Sequence, residues 1–275
     1  MTHVPIAASK KFRGTSEQGL FGDVMHEIDD SMEQILHALK SNGLSDNTIV
    51  IFTSDNGPWL NFGNHNGSSG GFREGKGASW EGGQRVPCII YWPDKIKEGR
   101  INNNLTSSMD IFATVAELID YKDNPNQIDG ISFLSQIKDP KSAASRKSMY
   151  YYYNQNDLEA VRFENWKLVL PHKSRSYEGI LPGNDGFGGN YKEHEVKTME
   201  LYDLRRDPGE RYNVIEQNPE VLEKLLEIAD EARRDLGDNL TKSEGQNRRP
   251  LGRLNKNLEI LRHTIFSSNV ELEIF

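Results

Sequence analysis

The spacing of apolar residues along the chain predicts alternating helices and strands in its first half. In residues 16–42 apolar side chains recur every three or four positions, and Gly43 ends the run, which predicts an amphipathic helix that covers a sheet. The continuous apolar run 47–54 predicts a strand buried on both faces. Residues 86–93 predict a second strand, and residues 108–121 predict a helix packed through Phe112, Val115, Leu118 and Ile119.

The second half of the chain has a different pattern. The segments SMYYYYN, LEAVRFENWKLVL and MELYDL predict short antiparallel strands joined by turns. A last helix is predicted with Asn218 as its N-cap, Pro219 in its first turn and Gly237 beyond its end. The break at 139–147 is the predicted domain boundary. The predicted parts are a main-domain segment, 1–138, a small α+β subdomain, 139–240, and a tail, 241–275.

Composition limits the kinds of protein that the chain can be. Its 275 residues are 36% hydrophobic and 27% charged, and no apolar run approaches the roughly 18 residues that a membrane span needs. A net charge of −8 argues against a nucleic-acid partner. Cys88 is the single cysteine, which excludes an intrachain disulfide and a thiolate metal cluster. The opening segment, MTHVPIAASKKFRG, lacks the apolar core of a secretory signal.

The glycine-rich segment GGFREGKGASWEGG, residues 70–83, surrounds a single lysine, Lys76. It resembles a nucleotide-binding loop, but Gly77 stands where Ser or Thr would bind magnesium, and Pro87 interrupts the helix that should follow. We therefore reject nucleotide binding. Glycines let main-chain N–H groups approach an oxyanion, and a lysine supplies a point charge for it. Taken alone, Lys76 is equally consistent with a solvated loop residue.

Two other positions carry candidate chemistry. Asp55 and Asn56 follow the predicted strand 47–54, at the edge where open α/β sheets bind ligands, and their oxygens suit calcium or magnesium. The sequence Asp-Asn-Gly-Pro is also good turn chemistry, so a plain turn remains open. His3 lies in the loop segment THVP, where a histidine is commonly a solvated surface group.

Considered together, these segments resemble one family. THVP, GLFGDVMHEIDDSMEQILHAL, VIFTSDNGP, GFREGKGASWEGGQRVPCIIYWP and LYDLRRDPGERYNV are similar to the second half of a sulfatase of the arylsulfatase type. The resemblance covers about residues 2–252 and is densest over residues 3–93. It implies an α/β fold of the alkaline-phosphatase and sulfatase type, here the second half of the main sheet domain plus a small C-terminal antiparallel sheet with a helix.

The resemblance also implies residue roles. Asp55 and Asn56 would bind Ca²⁺, Lys76 would contact the sulfate and the leaving-group oxygen, and His3 would point at the sulfate and protonate the leaving group. His65 and His172 are weaker candidates for the substrate pocket, with a surface histidine as the alternative for each. The implied substrate is a sulfated small molecule or glycan. Family habit implies the periplasm, the exterior or the lysosome, whereas this sequence leaves localisation unknown.

The motif that supplies the sulfatase nucleophile does not occur in this sequence. Formylglycine is made from the Cys or Ser of a C/S-x-P-x-R motif, and none of the eleven prolines has Cys or Ser two positions before it. We therefore expect this chain to be inactive alone, to bind calcium weakly, to expose an apolar strand edge and to depend on a complementing N-terminal half. Two alternatives remain: a phosphatase or phosphodiesterase of the same superfamily, or a truncated relative that acts as a binding module.

Overall fold

The computed structural model describes residues 2–93, 95–122, 127–139 and 141–250. The helices are α1 (Gly19–Ser41), α2 (Glu81–Gln84), α3 (Asp110–Leu118), α4 (Leu134–Lys138) and α5 (Pro219–Leu236). The strands are β1 (Val50–Thr53), β2 (Cys88–Tyr91), β3 (Ser148–Tyr153), β4 (Asp157–Phe163), β5 (Trp166–Val169), β6 (His172–Ser176), β7 (Lys192–Val196), β8 (Glu200–Asp203), β9 (Gly237–Asp238) and β10 (Ser243–Glu244). None of the described helices is both long and apolar enough to cross a membrane.

Helix α1 confirms the amphipathic helix predicted for residues 16–42, but it packs on loop segments, and the prediction that it covers a sheet is not confirmed in the described part of the chain. Only its first turns are well covered, because Val24 packs with Ile6 and Ala8 of the N-terminal segment. Toward its C-terminal end Ile35 remains half exposed. The helix contacts the short helical turn Leu60–His65, so its covered part lies against loop segments that line the site described below.

Both strands predicted in the first half are present, but the prediction that the strand in residues 47–54 is buried on both faces is wrong. Strands β1 and β2 form a two-stranded antiparallel sheet in which Val50 pairs with Tyr91 and Thr53 with Cys88. Ile89 on β2 is 62% exposed. In the described part of the chain β1 has β2 as its one strand neighbour, so the faces of this ribbon are covered only in part, which accords with the expected exposed apolar edge.

The packing predicted for the helix in residues 108–121 is also wrong. Phe112, Val115 and Ile119 of α3 are exposed. The buried side chains are instead Asp110 and Thr114. Asp110 accepts a hydrogen bond from Arg146 Nε at 3.0 Å and pairs with the same guanidinium through Nη2. The polar side of α3 is therefore the covered side, and its apolar stripe is open to solvent.

The C-terminal part forms a compact α+β unit. Strands β3, β4, β5 and β8 make a four-stranded antiparallel sheet in the order β3-β4-β5-β8, and β6 pairs with β7 in a separate hairpin. Helix α5 covers one face of the sheet. The core between them contains Leu158, Val161, Leu168, Leu170, Leu201, Leu225, Ile228, Ala229 and Ala232. These elements confirm the predicted antiparallel strands and the predicted final helix.

Two of the three signals predicted at the ends of α5 are confirmed. Pro219 begins the helix and Gly237, with φ of 83°, follows its end. Asn218 occupies the N-cap position, but its side chain donates to Val214 O at 2.8 Å rather than capping the helix.

The start of the predicted tail is attached to this unit. Strand β10 pairs with β9, and Gln246 N donates to Arg234 O at 2.9 Å. The Arg249 guanidinium forms an ion pair with Asp129. Residues 251–275 of the predicted tail lie outside the described residues.

Candidate active site

A cavity of about 1020 Å³ opens where the N-terminal segment, the end of β1 and the loops that follow it meet. Its volume is at the upper end of the range for small-molecule sites. Five of the six residues proposed from sequence line it: His3, Asp55, Asn56, His65 and Lys76. Residues separated by more than 70 positions in sequence therefore surround one space.

The backbone brings the two main loops of this cavity together. Gly57 N donates to Gly83 O at 2.9 Å, and Lys76 N donates to Pro58 O at 2.8 Å. A Cβ on Gly57 would collide with Gly82 O, so glycine is required where these segments touch. We call the contact between residues 57–58 and residues 73–83 the backbone brace.

The brace corrects the expected role of the glycines. Gly82 N donates to Arg73 O at 2.8 Å and Gly83 N to Trp80 O at 2.9 Å, while the amides of Gly57 and Lys76 are used as described above. These main-chain N–H groups therefore bind other main-chain oxygens instead of forming a cradle for an oxyanion. These four amides are therefore not available to a bound anion.

Trp59 links the two candidate cationic residues of the cavity. The Lys76 ammonium lies 5.3 Å from the centroid of the Trp59 ring, and the His3 ring lies 5.8 Å from the same tryptophan. His3 Nδ1 is 2.8 Å from Val4 O, and a carbonyl oxygen can only accept, so Nδ1 carries the hydrogen and Nε2 is left for a ligand. Among residues 2–250, apart from those not described, no carboxylate lies within ion-pair distance of Lys76.

Sequence models of known protein families match most of the chain. Residues 2–121 match the model described as Sulfatase, and residues 144–255 match the C-terminal region of aryl-sulfatase. Residues 74–178 also match the C-terminal part of N-sulphoglucosamine sulphohydrolase. The chain belongs to the sulfatase family.

Similar sulfatases occur in animals and bacteria. N-acetylgalactosamine-6-sulfatase of Mus musculus is 37% identical over 221 residues, covering 77% of this chain and 42% of the relative. An arylsulfatase of Hemicentrotus pulcherrimus is 38% identical over 225 residues, covering 76% and 40%. The chain thus spans about two fifths of the length of the curated sulfatases that it matches.

Solved sulfatase structures share the fold and confirm the predicted fold class. PsFucS1 sulfatase from Pseudoalteromonas sp. superposes with a TM-score of 0.71 at 27% identity, covering 84% of this chain and 46% of that one. A Bacteroides thetaiotaomicron protein solved in work on the metabolism of multiple glycosaminoglycans gives 0.67 at 31% identity, covering 84% and 48%.

The residues implied as calcium ligands fit a part of a calcium site in this sulfatase. Asp55 is exposed and Asn56 half-buried at the cavity wall, and their oxygens are of the hard type that Ca²⁺ prefers. Ca²⁺ takes six to eight oxygens, more than two side chains supply. No group of three or more His, Cys, Asp or Glu suited to a metal occurs among the described residues.

The two remaining histidines differ in position. His65 lines the cavity, and its Nδ1 is buried without a hydrogen-bond partner among the described residues. His172 lies on β6 in the C-terminal part and is 5% exposed. The expectation that His172 lines the substrate pocket, or lies on the surface, is therefore wrong, because the strand directs its ring inward toward Glu159.

Sequence reasoning missed Trp59 and underestimated Arg85. Trp59 directly follows the Asp-Asn-Gly-Pro turn, and that adjacency was the available signal. Arg85 lines the cavity; its guanidinium lies 4.3 Å from the centroid of the Phe72 ring. Arg73 is held as a structural residue, with its guanidinium over the Trp80 ring at 3.6 Å and its Nη1 donating to Tyr202 Oη at 3.2 Å.

The buried Glu159–His172 pair should make stability depend on pH. His172 Nδ1 lies 2.7 Å from Leu170 O and so carries the hydrogen. Nε2 faces Glu159 Oε2 at 3.3 Å, which leaves room for one shared proton. Burial raises the pKa of Glu159 to about 7 from an ordinary 4.5, and burial lowers the pKa of His172.

Between pH 4.5 and 7, Glu159 is therefore protonated in the folded state and ionised in the unfolded chain. The stability from this proton is full below pH 4.5 and is lost as the pH rises through 7. His172 acts in the opposite direction, since its stability is lost as the pH falls. A Glu159→Gln variant keeps a donor for Nε2 at every pH.

We expect the stability of Glu159→Gln relative to the native chain to rise by about 2–3 kcal/mol between pH 5 and pH 8. Urea unfolding at unit steps of pH measures the difference. Glu193→Gln, which changes an exposed carboxylate, serves as the control. Parallel pH profiles for the native chain and Glu159→Gln would contradict the shared proton.

Proposed function

We propose that this chain forms part of a sulfuric ester hydrolase that cleaves a sulfate ester with calcium assistance. The observation that carries the proposal is that His3, Asp55, Asn56 and Lys76 line one cavity in a chain of the sulfatase family. A cavity suits a tetrahedral oxyanion when it combines a histidine, hard oxygen donors and a lysine that forms no ion pair with a described carboxylate.

The side chains of the cavity would act on the leaving group. Cleavage of a sulfate ester builds negative charge on the leaving oxygen, and the Lys76 ammonium would stabilise that charge in a site partly shielded from water. His3 would act as the imidazolium: Nδ1–H stays on Val4 O, and Nε2 gives its proton to the leaving oxygen. Trp59, in contact with both residues, holds their separation.

Asp55 and Asn56 would supply part of the ligand set for Ca²⁺. A bound Ca²⁺ would supply positive charge for the sulfate oxygens. The remaining ligands and the formylglycine nucleophile would come from polypeptide other than these 275 residues, since the sequence contains no C/S-x-P-x-R motif. On this proposal the chain alone binds calcium weakly and turns over no sulfate ester.

The exposed apolar surface supports a complementing polypeptide. Ile89 on β2 and Phe112 and Ile119 on α3 are each more than half exposed. Phe112, Val115 and Ile119 recur at helical spacing and form one exposed apolar stripe, and a contiguous apolar surface is typical of a site that another polypeptide covers. We infer that the segment that carries the nucleophile also covers these residues.

A sulfated glycan is the substrate class that relatives favour. Relatives named N-acetylgalactosamine-6-sulfatase include the mouse protein at 37% identity, and the B. thetaiotaomicron protein named N-acetylgalactosamine-6-O-sulfatase is 32% identical. The cavity volume of about 1020 Å³ leaves space for a sugar beside the sulfate.

The test is an assay of ester hydrolysis by the chain alone and together with a separately expressed polypeptide that carries a processed nucleophile motif. With calcium, we expect hydrolysis of 4-nitrophenyl sulfate by the mixture and none by either part, and we expect EGTA to abolish it. Steady turnover by the pure chain alone would refute the proposal. Faster hydrolysis of 4-nitrophenyl phosphate, activated by zinc, would instead establish the phosphatase alternative.

A further inference from the structure

The loop that carries Lys76 is packed unevenly. After Lys76, Ala78 and Trp80 are buried in the apolar core of the C-terminal sheet, whereas residues 69–73, before Lys76, are exposed or half-buried. The cavity described above lies on one side of it, and a second cavity of about 630 Å³ lies on the other. Ser69 and Phe72 line both, so this part of the loop is a thin wall between two open spaces. Polar contacts with the C-terminal part add to the packing of Trp80 and fix the loop on both sides of Lys76.

The first of these contacts is made by Glu74, two residues before Lys76. Its Oε1 accepts a hydrogen bond from Ser176 Oγ at 2.6 Å, and its Oε2 accepts one from Tyr177 N at 2.8 Å. Glu74, Ser176 and Tyr177 are all buried. Ser176 is the last residue of β6 and Tyr177 follows it, so the Glu74 carboxylate fixes the loop to the end of this strand.

The second contact is made by Glu81, five residues after Lys76. Glu81 Oε1 lies 3.2 Å from Lys167 Nζ on β5, and Glu81 Oε2 lies 3.4 Å from Arg162 Nη1 on β4. Glu81 N also donates to Glu210 Oε2 at 2.7 Å. Glu81 and Lys167 are fully buried. Burial alone would raise the pKa of Glu81, but the charges of Lys167 and Arg162 lower it below its usual range.

A third contact reaches Lys76 itself. The Tyr177 hydroxyl donates to the backbone oxygen of Lys76, while the Lys76 amide is used in the backbone brace. Both main-chain polar groups of the lysine are therefore fixed by residues outside the loop. Its side chain is left to reach the cavity.

We propose that the C-terminal sheet and hairpin position Lys76 in the cavity, with Tyr177 and the two loop carboxylates Glu74 and Glu81 as positioning residues. None of the three lines the cavity that contains Lys76, so they act through the loop. The importance of this positioning for sulfate-ester cleavage rests on the proposed function; the positioning itself does not.

The test compares two tyrosines that each lose one hydroxyl. Tyr177→Phe removes the donor to Lys76 O. Tyr152→Phe is the matched control, because its hydroxyl donates to Gly237 O at 2.8 Å and Ala232 O at 3.1 Å, at the end of α5. For each variant, the rate of acetylation of Lys76 by acetic anhydride is measured by mass spectrometry in the absence of any anion, with exposed Lys10 and Lys97 as internal references.

We expect Tyr177→Phe to raise the relative acetylation rate of Lys76 about threefold or more and to speed exchange of its backbone amide, because the loop gains freedom when a hydrogen bond is lost. Ser176→Ala should change both rates in the same direction. Tyr152→Phe should leave both within experimental error. Equal rates in Tyr177→Phe and Tyr152→Phe would overturn the proposal, whatever the outcome of the hydrolysis assay, since the labelling needs neither substrate nor metal.

Discussion

Replacement of Lys167 by methionine is expected to lower the free energy of unfolding by about 3–5 kcal/mol. The Lys167 ammonium lies 2.7 Å from Glu210 Oε1 and 3.2 Å from Glu81 Oε1, and it donates to Ser79 O at 2.8 Å. Methionine fills a similar space but leaves two buried carboxyl groups without their shared cation. The cost is that of buried charge without a partner, which exceeds the net value of the intact pair.

The pKa shifts of Lys167 and Glu210 also indicate that removal of the lysine charge destabilises the folded state. Burial would lower the pKa of Lys167, but Glu210 and Glu81 raise it above its usual value, so the lysine is charged at any ordinary pH. Burial raises the pKa of Glu210. A Lys167→Met chain should therefore recover part of its stability on acidification, when its glutamates take up protons.

Urea denaturation followed by tryptophan fluorescence measures the effect of Lys167→Met. Lys173→Met is the control, because Lys173 forms an exposed ion pair with Glu193, and such pairs contribute about 0–1 kcal/mol. Adding Glu210→Gln to Lys167→Met should restore part of the loss. Similar midpoints for Lys167→Met and Lys173→Met would show that the cluster is not what holds the loop on the sheet.

Replacement of Lys76 by methionine is expected to lower kcat/KM for the sulfate ester by about 10²–10³-fold in the reconstituted enzyme. The side chain contacts the Trp59 ring and forms no ion pair with a described residue, so its removal leaves no buried charge behind. We therefore expect the free energy of unfolding to change by less than about 0.5 kcal/mol. Loss of activity without loss of stability distinguishes Lys76 from Lys167.

Initial rates with 4-nitrophenyl sulfate at several concentrations give kcat and KM separately. If Lys76 stabilises charge that develops on the leaving oxygen, the loss appears mainly in kcat. Lys40→Met, in the last turn of α1, serves as the control for an exposed lysine. A Lys76→Met enzyme with native kcat would remove the lysine from the proposed mechanism.

The sequence predicts helices and antiparallel strands well where the signal is local. Helix α5 has Pro219 and Gly237 at its ends, and the residues between them repeat at helical spacing. Burial was predicted less well, because it depends on what covers an element. The apolar run of β1 predicts two covered faces, yet β1 is half-buried and ends exposed next to a single described strand neighbour.

The site residues that belong to short motifs were predicted, and those whose role depends on residues distant in sequence were not. His3, Asp55, Asn56 and Lys76 were found through short motifs, and the structure brings them to one cavity. Lys167 gave no signal, because in the segment NWKLVL a lysine normally faces water, and its partner Glu81 is 86 positions away. The position of His172 was predicted wrongly for the same reason, because its burial depends on the fold of a hairpin that the motifs do not describe.

The backbone brace has a consequence for how this segment can change in length. Its hydrogen bonds close residues 57–83 into a ring, with Gly57 joined to Gly83 and Pro58 to Lys76. One residue inserted between 76 and 83 would put these pairings out of register and move the ammonium away from its present place. Gly71 touches nothing within 4 Å of where a Cβ would stand, so a side chain at this position should leave the hydrogen bonds of the ring undisturbed.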